Sequence, residues 1–351
     1  MVIRGVNLGG LAVTLAVGAA GGVLARAAHL PLGLLLGSMA VVAALAITDV
    51  RILGQQVHLP GPLRSSFVPV IGVATGGAFS PEVIGQMPGW WISLLALCLY
   101  IPLVHAVGFF IYRRGGLPVA AAFFGATPGG LIETVELGRA AGADEALLTV
   151  LQFLRLIATI VAVPLIFWAL TGRVVGSASG AQLAGSGVAL GWSDVAVLVV
   201  AGAAGWKVAQ ALRFPAAQMI GPVLFSAAAH GLGLVHGVPP SSMVSVAQVV
   251  LGCGLGARFL GADHRILRRA LGLAMANTAC ALVLAAGFAL GLHALVGEPV
   301  TGVFLAFAPG GLAEMSLVAI SLQASVAYVT VHHVARIVLS VTVAKFGARW
   351  L

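Results

Sequence analysis

Charge is scarce in this chain. Asp, Glu, Lys and Arg make up 8% of its 351 residues, against about a quarter in a soluble domain, too few to coat a water-exposed globule. The acidic residues number ten, and most fall in expected loops or at the ends of apolar stretches. Cysteines number three, Cys98, Cys253 and Cys280, each in apolar surroundings. With no C-x-x-C pair and no clustered histidines beside them, neither a disulfide framework nor a zinc site is indicated. A Walker A loop, a G-x-S-x-G elbow, an H-E-x-x-H helix and a Rossmann fingerprint are all missing from any suitable context. ATP-driven transport by this chain alone is therefore not expected, and enzyme chemistry is the weakest of the functional readings.

What fills the chain is hydrocarbon. It is 60% hydrophobic, with a mean hydropathy of +1.09. Apolar stretches of about 18–24 residues, long enough to cross a ~30 Å hydrocarbon core, recur from end to end. The fold class expected is an all-α polytopic membrane protein, and the 47 glycines suit helices that must approach closely in lipid. The stretch 8–25 lacks a convincing cleavage site and runs almost directly into a second apolar stretch, so it reads as a retained first span. The net charge of +8 is scattered over the loops and orients the chain. Membrane lipid is accordingly an expected partner, and nucleic acid is not.

The chain repeats itself. Ala126-Thr-Pro-Gly-Gly-Leu-Ile-Glu133 returns as Phe307-Ala-Pro-Gly-Gly-Leu-Ala-Glu314, 181 residues later. Residues 30–37 (LPLGLLLG) match 214–221 (FPAAQMIG), and residues 72–79 (GVATGGAF) match 252–259 (GCGLGARF). Gln152-x-x-Arg155 matches His333-x-x-Arg336. Four anchors in one order make an internal duplication: a first membrane repeat over 1–173, a Gly/Ser/Ala-rich linker over 174–190 and a second repeat over 191–351. Each repeat has six apolar elements, at 8–25, 30–48, 66–79, 89–112, 118–138 and 146–170, then at 193–211, 215–234, 242–257, 270–293, 300–320 and 325–344.

Basic residues choose the topology, since short cytoplasmic loops are enriched in Lys and Arg. If the PGG element of each half makes no net crossing, each half has five crossings and the second is inverted. With the N-terminus inside, 14 of the 18 basic residues then lie on the cytoplasmic side; Arg26 and Arg173 fall outside, and Arg155 and Arg336 within spans. The expectation is two inverted repeats of about five transmembrane helices, each with a broken or re-entrant PGG element. It places both termini in the cytoplasm and the protein in the bacterial inner membrane.

These anchors (P-x-x-x-L-L-G, the short glycine-rich span, P-G-G-L-x-E, then a polar residue three before an arginine) resemble the AbrB-type membrane proteins, a family with an internal AbrB duplication. The resemblance covers nearly the whole chain. Members carry the labels transcriptional regulator or ammonia monooxygenase, yet no separate DNA-binding domain and no metal-ligand cluster is visible here. More distantly, a Gly-rich span followed by a P-G-G break is similar to the cation:proton antiporter and bile-acid:sodium symporter superfamily. That resemblance implies inverted repeats whose discontinuous helices cross near mid-membrane, whereas the charge count favours a re-entrant element.

Irregular backbone at membrane depth persists only where protein buries it or water lines it, and two such breaks, one per half, point to a transport site. Pro128, Gly129 and Gly130, with Pro309, Gly310 and Gly311, would free backbone N–H groups at a half-helix N-terminus; the alternative is an ordinary turn. Glu133 and Glu314 are candidate coupling groups for Na+ or H+, or else permanent partners of Arg155 and Arg336. Glu136 has no counterpart, Leu317 standing in its place, and reads as peripheral. Arg155 and Arg336 lie deep in apolar helices, sharing a face with Gln152 and His333. They suit a carboxylate or phosphate on a solute, or the same glutamates. His332 and His333 read as core histidines that could also handle protons; His105, His230 and His293 receive no role.

The function expected is secondary transport of a small, anionic organic solute coupled to H+ or Na+, with no cofactor beyond that ion and a homodimer left open. The alternative is a membrane ligand sensor or regulator that moves nothing.

Overall fold

The computed structural model describes residues 2–3, 6–172, 185 and 187–350. The expected linker lies outside the described residues apart from Gly185 and 187–190. A two-residue ladder pairs β1 (Val2–Ile3) with β2 (Val6–Asn7), and the rest of the regular structure is helical. The helices are α1 (Leu8–Ala27), α2 (Gly33–Ile47), α3 (Gly61–Gly76), α4 (Pro81–Gln86), α5 (Trp91–Arg114), α6 (Val119–Ala126), α7 (Leu131–Ala140) and α8 (Glu145–Thr171). After the linker come α9 (Trp192–Ala211), α10 (Ala217–Gly231), α11 (Ser241–Gly256), α12 (His264–Val296), α13 (Val300–Phe307), α14 (Leu312–Ser321) and α15 (Val326–Gly347). Among the described residues, seven helical stretches are long and apolar enough to cross a membrane: α1, α4 with α5, α8, α9, α11, α12 and α15. The helical, membrane-compatible fold class read from the sequence is the one observed.

Helix lengths repeat along the chain. The pairs α1/α9, α2/α10, α3/α11, α6/α13 and α7/α14 have 20, 15, 16, 8 and 10 residues in both members. Local backbone repeats too: Leu32 and Ala216 hold φ of 47° and 48° at the starts of α2 and α10, each directly after a proline, Pro31 and Pro215. The largest difference from the sequence reading is α12, which extends well beyond the expected 270–293. Arg265, Arg268 and Arg269 break the hydropathy but not the helix. The Asp263 carboxylate accepts the Arg265 N–H at 2.7 Å to cap its start, and Gly297, at φ 69°, ends it.

The chain packs as two compact units, each drawn from both sequence halves. Unit 1 (Met1–Pro81, Pro164–Ala262 and Ile320–Leu322) holds α1, α2, α3, α9, α10 and α11. In it α1 packs on α2 and α9 on α10, while α3 crosses to α10 and α11 to α2. Small residues set these distances, as lipid-embedded helices require. A Cβ on Gly37 would overlap the Gly21 carbonyl, and one on Gly221 would overlap that of Gly205. Those two pairs correspond across the halves. So do the cross-half contacts: Gly72 of α3 faces Met219 and Pro222, and Gly252 of α11 faces Leu35 and Ser38. Residue i of one half meeting j of the other, and j meeting i, is the mark of a local two-fold.

Unit 2 (Glu82–Val163, Asp263–Ala319 and Gln323–Leu351) holds most of the polar residues singled out above. Its frame is α5 packed on α12, where the Tyr100 hydroxyl donates to the Ala281 carbonyl at 3.2 Å. On that frame α6 packs against α5, and α13 against α12 and α15.

Candidate functional site

Helix α6 ends at Ala126 and α7 starts at Leu131; α13 ends at Phe307 and α14 starts at Leu312. The breaks are the PGG segments. Proline supplies no N–H to continue the ladder, and Gly130 sits at φ 66°, where a side chain is strained. A Cβ there would also run into Val341. Pro128, Gly129, Pro309 and Gly310 are buried, and Gly130 and Gly311 are half-buried.

A helix that stops in an apolar interior leaves its last carbonyls without partners. The next helix of each half supplies them. From α8, Gln152 Nε2 donates to the Phe124 carbonyl at 2.8 Å, with Gly125 O at 3.2 Å and Thr127 O at 3.3 Å, and Arg155 Nη1 donates to Thr127 O. From α15, the His333 Nε2–H donates to the Leu305 carbonyl at 2.9 Å, Arg336 Nη1 donates to Ala308 O, and Arg336 Nη2 donates to Gly310 O at 2.6 Å. Arg336 Nη2 also donates to His333 Nδ1 at 3.2 Å. The i, i+3 spacing seen in the sequence is thus a two-pronged cap, repeated at an offset of 181. Cationic donors at a helix C-terminus also suit its dipole. All four capping side chains are buried, none more than 4% exposed.

The second half-helices start with a carboxylate at their third residue. Glu133 and Glu314 occupy the capping-box position, from which a side chain reaches back to the start of its own helix. A Cβ on Gly130 would lie 3.5 Å from Glu133 Oε2, and one on Gly311 would overlap Glu314 Oε2. Glu314 is buried, Glu133 half-buried and Glu136 exposed. Both breaks meet α15: the first lies against Ile337, Ser340 and Val341, and the second is bonded to Arg336. Arg155 and Arg336 lie within electrostatic reach of each other and of Tyr100. The structure therefore gathers the twelve candidate residues into unit 2 around one helix. Each guanidinium keeps a buried Nε–H without a partner.

A cavity of about 500 Å³ lies in unit 1, lined by Val70, Val73, Leu198, Val199 and Trp206 among others; none of the twelve candidates borders it.

Sequence reasoning named His332 as a core histidine that could handle protons but missed the polar group around it in unit 2. His332 is fully buried, with Nδ1 2.8 Å from the Tyr328 carbonyl and Nε2 2.8 Å from Ser93 Oγ. Nearby, the indole of Trp90, just before α5, hydrogen-bonds Glu298 in the turn between α12 and α13. Ser93 belongs to no motif. The one available signal was comparison of the halves, since at the 181-residue offset Glu298, Tyr328 and His332 face Leu117, Leu147 and Leu151.

Burial pushes the Glu298 carboxyl above its usual range, the Trp90 hydrogen bond offsetting part of the shift. A raised folded-state pKa means that the folded chain holds this proton more tightly than the unfolded one. The stabilisation is complete below about pH 4 and is lost as pH rises through the elevated value. Glu298→Gln removes that dependence. Thermal unfolding across a pH series is expected to show native stability falling in this window relative to the variant; parallel curves would refute the shift.

A family model described as transition state regulatory protein AbrB matches residues 50–351. Over 347 residues the chain is 24% identical to "Uncharacterized protein YhjN" of Bacillus subtilis (strain 168), covering 93% of this chain and 88% of that one. Over 311 residues it is 28% identical to "Putative regulator AbrB" of Escherichia coli (strain K12), covering 86% and 85%. With a match across most of its length and a helical fold compatible with several membrane crossings, this chain belongs to the AbrB family.

Proposed function

We propose that the chain is a secondary transporter of a small anionic organic solute, driven by H+ or Na+ and working without enzyme chemistry. The observation that carries the reading is the pair of buried arginines. Each holds a broken helix end and each retains an unpartnered Nε–H. A buried donor without an acceptor calls for an explanation, and an anionic group entering beside the breaks would provide one. Broken helices in matched positions of two halves are also the usual construction of a transporter's central site.

The same proposal includes inverted repeats with about five crossings each, both termini in the cytoplasm of a bacterial cell and residence in the inner membrane. Its support is the basic-residue distribution and the reciprocal contacts within unit 1. The distant likeness to the antiporter and symporter superfamily belongs to this reading. Membrane lipid and the solute are its partners, nucleic acid is not, and a homodimer stays compatible with it.

A second reading, a membrane ligand sensor or regulator, is favoured by the name of the E. coli relative. Uptake separates the two. Proteoliposomes carrying the full chain are given labelled pyruvate, citrate or inorganic phosphate under imposed pH or Na+ gradients. Gradient-dependent accumulation of one of them is expected. Arg155→Lys and Arg336→Lys, which keep charge but lose the planar fork, should weaken apparent affinity about tenfold or more; a lost charge-assisted hydrogen bond supports a loss of that order. Saturable binding without accumulation would favour the sensor.

A further inference from the structure

His332 has two hydrogen-bonding neighbours whose geometry fits two protonation states. Tyr328 O is a carbonyl and only accepts, so at 2.8 Å it requires a proton on Nδ1. Ser93 Oγ lies 2.8 Å from Nε2 and 2.9 Å from the Trp90 carbonyl. A hydroxyl has one proton to give. In the neutral state Ser93 donates it to Nε2. When Nε2 is protonated, its N–H donates to Ser93 and the serine O–H turns to the Trp90 carbonyl. Both states are fully hydrogen-bonded without movement of a heavy atom.

We infer that His332 is a proton-binding site of this protein, reached from Glu298, and that H+ is the ion coupled to the breaks. The coupling half of this rests on the transport reading; the proton site does not. A proton arriving from water at half-buried Glu298 enters beside Trp90 and Tyr328. The Tyr328 hydroxyl is buried without a hydrogen-bond partner, and Ser93 and Glu298 are its polar neighbours. The Glu298 O–H bond breaks as the proton leaves, an N–H bond forms on the Nε2 lone pair, Glu298 returns to carboxylate, and the Ser93 hydroxyl turns to the Trp90 carbonyl.

The surroundings accommodate the charge. The Tyr328 ring centroid lies 4.0 Å and the Phe307 ring 6.1 Å from the imidazole, at the distance where an aromatic face attracts a cation. On α15 the neighbouring titratable groups are Tyr328, His333 and Arg336; α5 brings Ser93, and its Tyr100 packs on Phe307. Helix α13 contains no titratable residue, α14 meets α15 at Ser316–Thr330 (3.4 Å) and brings the buried Glu314 carboxyl, and α7 meets α15 farther along, at the Gly130–Val341 contact. His333 and Arg336 are the groups that sense the charge, because Arg336 bonds both His333 and the carbonyls of the second break. A cation at His332 opposes the positive end of that network and weakens its hold on the break.

Comparison of the halves separates this path from packing. Leu117, Leu147 and Leu151 stand where Glu298, Tyr328 and His332 stand, and Leu117 and Leu151 are fully buried. Leucine fills these places in the first half, so this arrangement of helices does not by itself require a polar set there.

The full chain, with ring-15N histidine, is placed in phosphatidylethanolamine–phosphatidylglycerol nanodiscs and titrated from about pH 4 to 8. The His332 signal is identified by its loss in His332→Gln, with His332→Asn as the second variant should the first fail to assemble. It is expected to move from a neutral Nδ1–H pattern to an imidazolium within this range. Ser93→Ala, which strips Nε2–H of its acceptor, should weaken proton binding about tenfold, one unit of pKa, and Ser93→Thr should restore it. A neutral pattern throughout, or a titration that Ser93→Ala leaves unmoved, overturns the proton site. Uptake by His332→Gln that keeps the native dependence on the pH gradient overturns the coupling. Absence of any solute uptake by the native protein sinks the transport reading, and the titration still decides the site.

Discussion

Gly221→Leu is expected to abolish a stable unit 1, and Gly37→Leu to do the same. Each glycine lets two helix backbones touch: a Cβ at 221 overlaps the Gly205 carbonyl, and one at 37 overlaps that of Gly21. The obstacle is backbone in both cases, so no rotamer change relieves it. Overpacking of a tight core costs about 1–3 kcal/mol and more when the backbone must move; roughly 3 kcal/mol or more per site is expected here, a large part of a typical domain's stability. Gly287 is the control. It lies within α12 with nothing close to a Cβ, so Gly287→Ala should be neutral or slightly stabilising through helix propensity. Thermal unfolding of the three variants in detergent is the measurement. Equal behaviour of Gly221→Leu and Gly287→Ala would show that the α9–α10 contact does not need its glycine.

The same glycines illustrate what could be read from the chain alone. Repetition was legible because residue identity was retained at each anchor: P-G-G-L-x-E, Gln/His-x-x-Arg and the glycines of the third element all return in matching structure. Helix class followed from hydropathy. Helix ends did not, because charge and helix formation are separate properties; Arg268 and Arg269 ended the expected stretch while α12 ran through them. The partners of the deep arginines were not legible either. A sequence displays the charged side chains but not the carbonyls that a break exposes, so solute and glutamate are the acceptors it suggests. In the structure Thr127 O, Ala308 O and Gly310 O take those donors. Reciprocal packing in unit 1 was likewise invisible, since no motif says which half a glycine faces.

Arg336→Ala is expected to destabilise the protein by roughly 1–3 kcal/mol, the cost of a buried Gly310 carbonyl left without this donor, while Ala308 O keeps the Gly310 N–H at 2.8 Å. Arg155→Ala should cost less. Thr127 O retains Gln152 within 3.3 Å, and only one carbonyl bond from Arg155 is formed, against two from Arg336. Lysine should fall between the two at position 336, because a single ammonium can reach one carbonyl but cannot bridge Ala308 and Gly310 in the fixed geometry of the fork. The order of unfolding temperatures, native above Arg336→Lys above Arg336→Ala, with Arg155→Ala milder than Arg336→Ala, is the expected result. A reversed order between the two alanine variants would mean that capping is not what holds these breaks. The capping role also constrains how a solute could use the site. On the transport reading, an anion that draws the Arg336 guanidinium away from Ala308 O and Gly310 O would compete with those carbonyls, whereas one held by the free Nε–H alone would leave the cap in place.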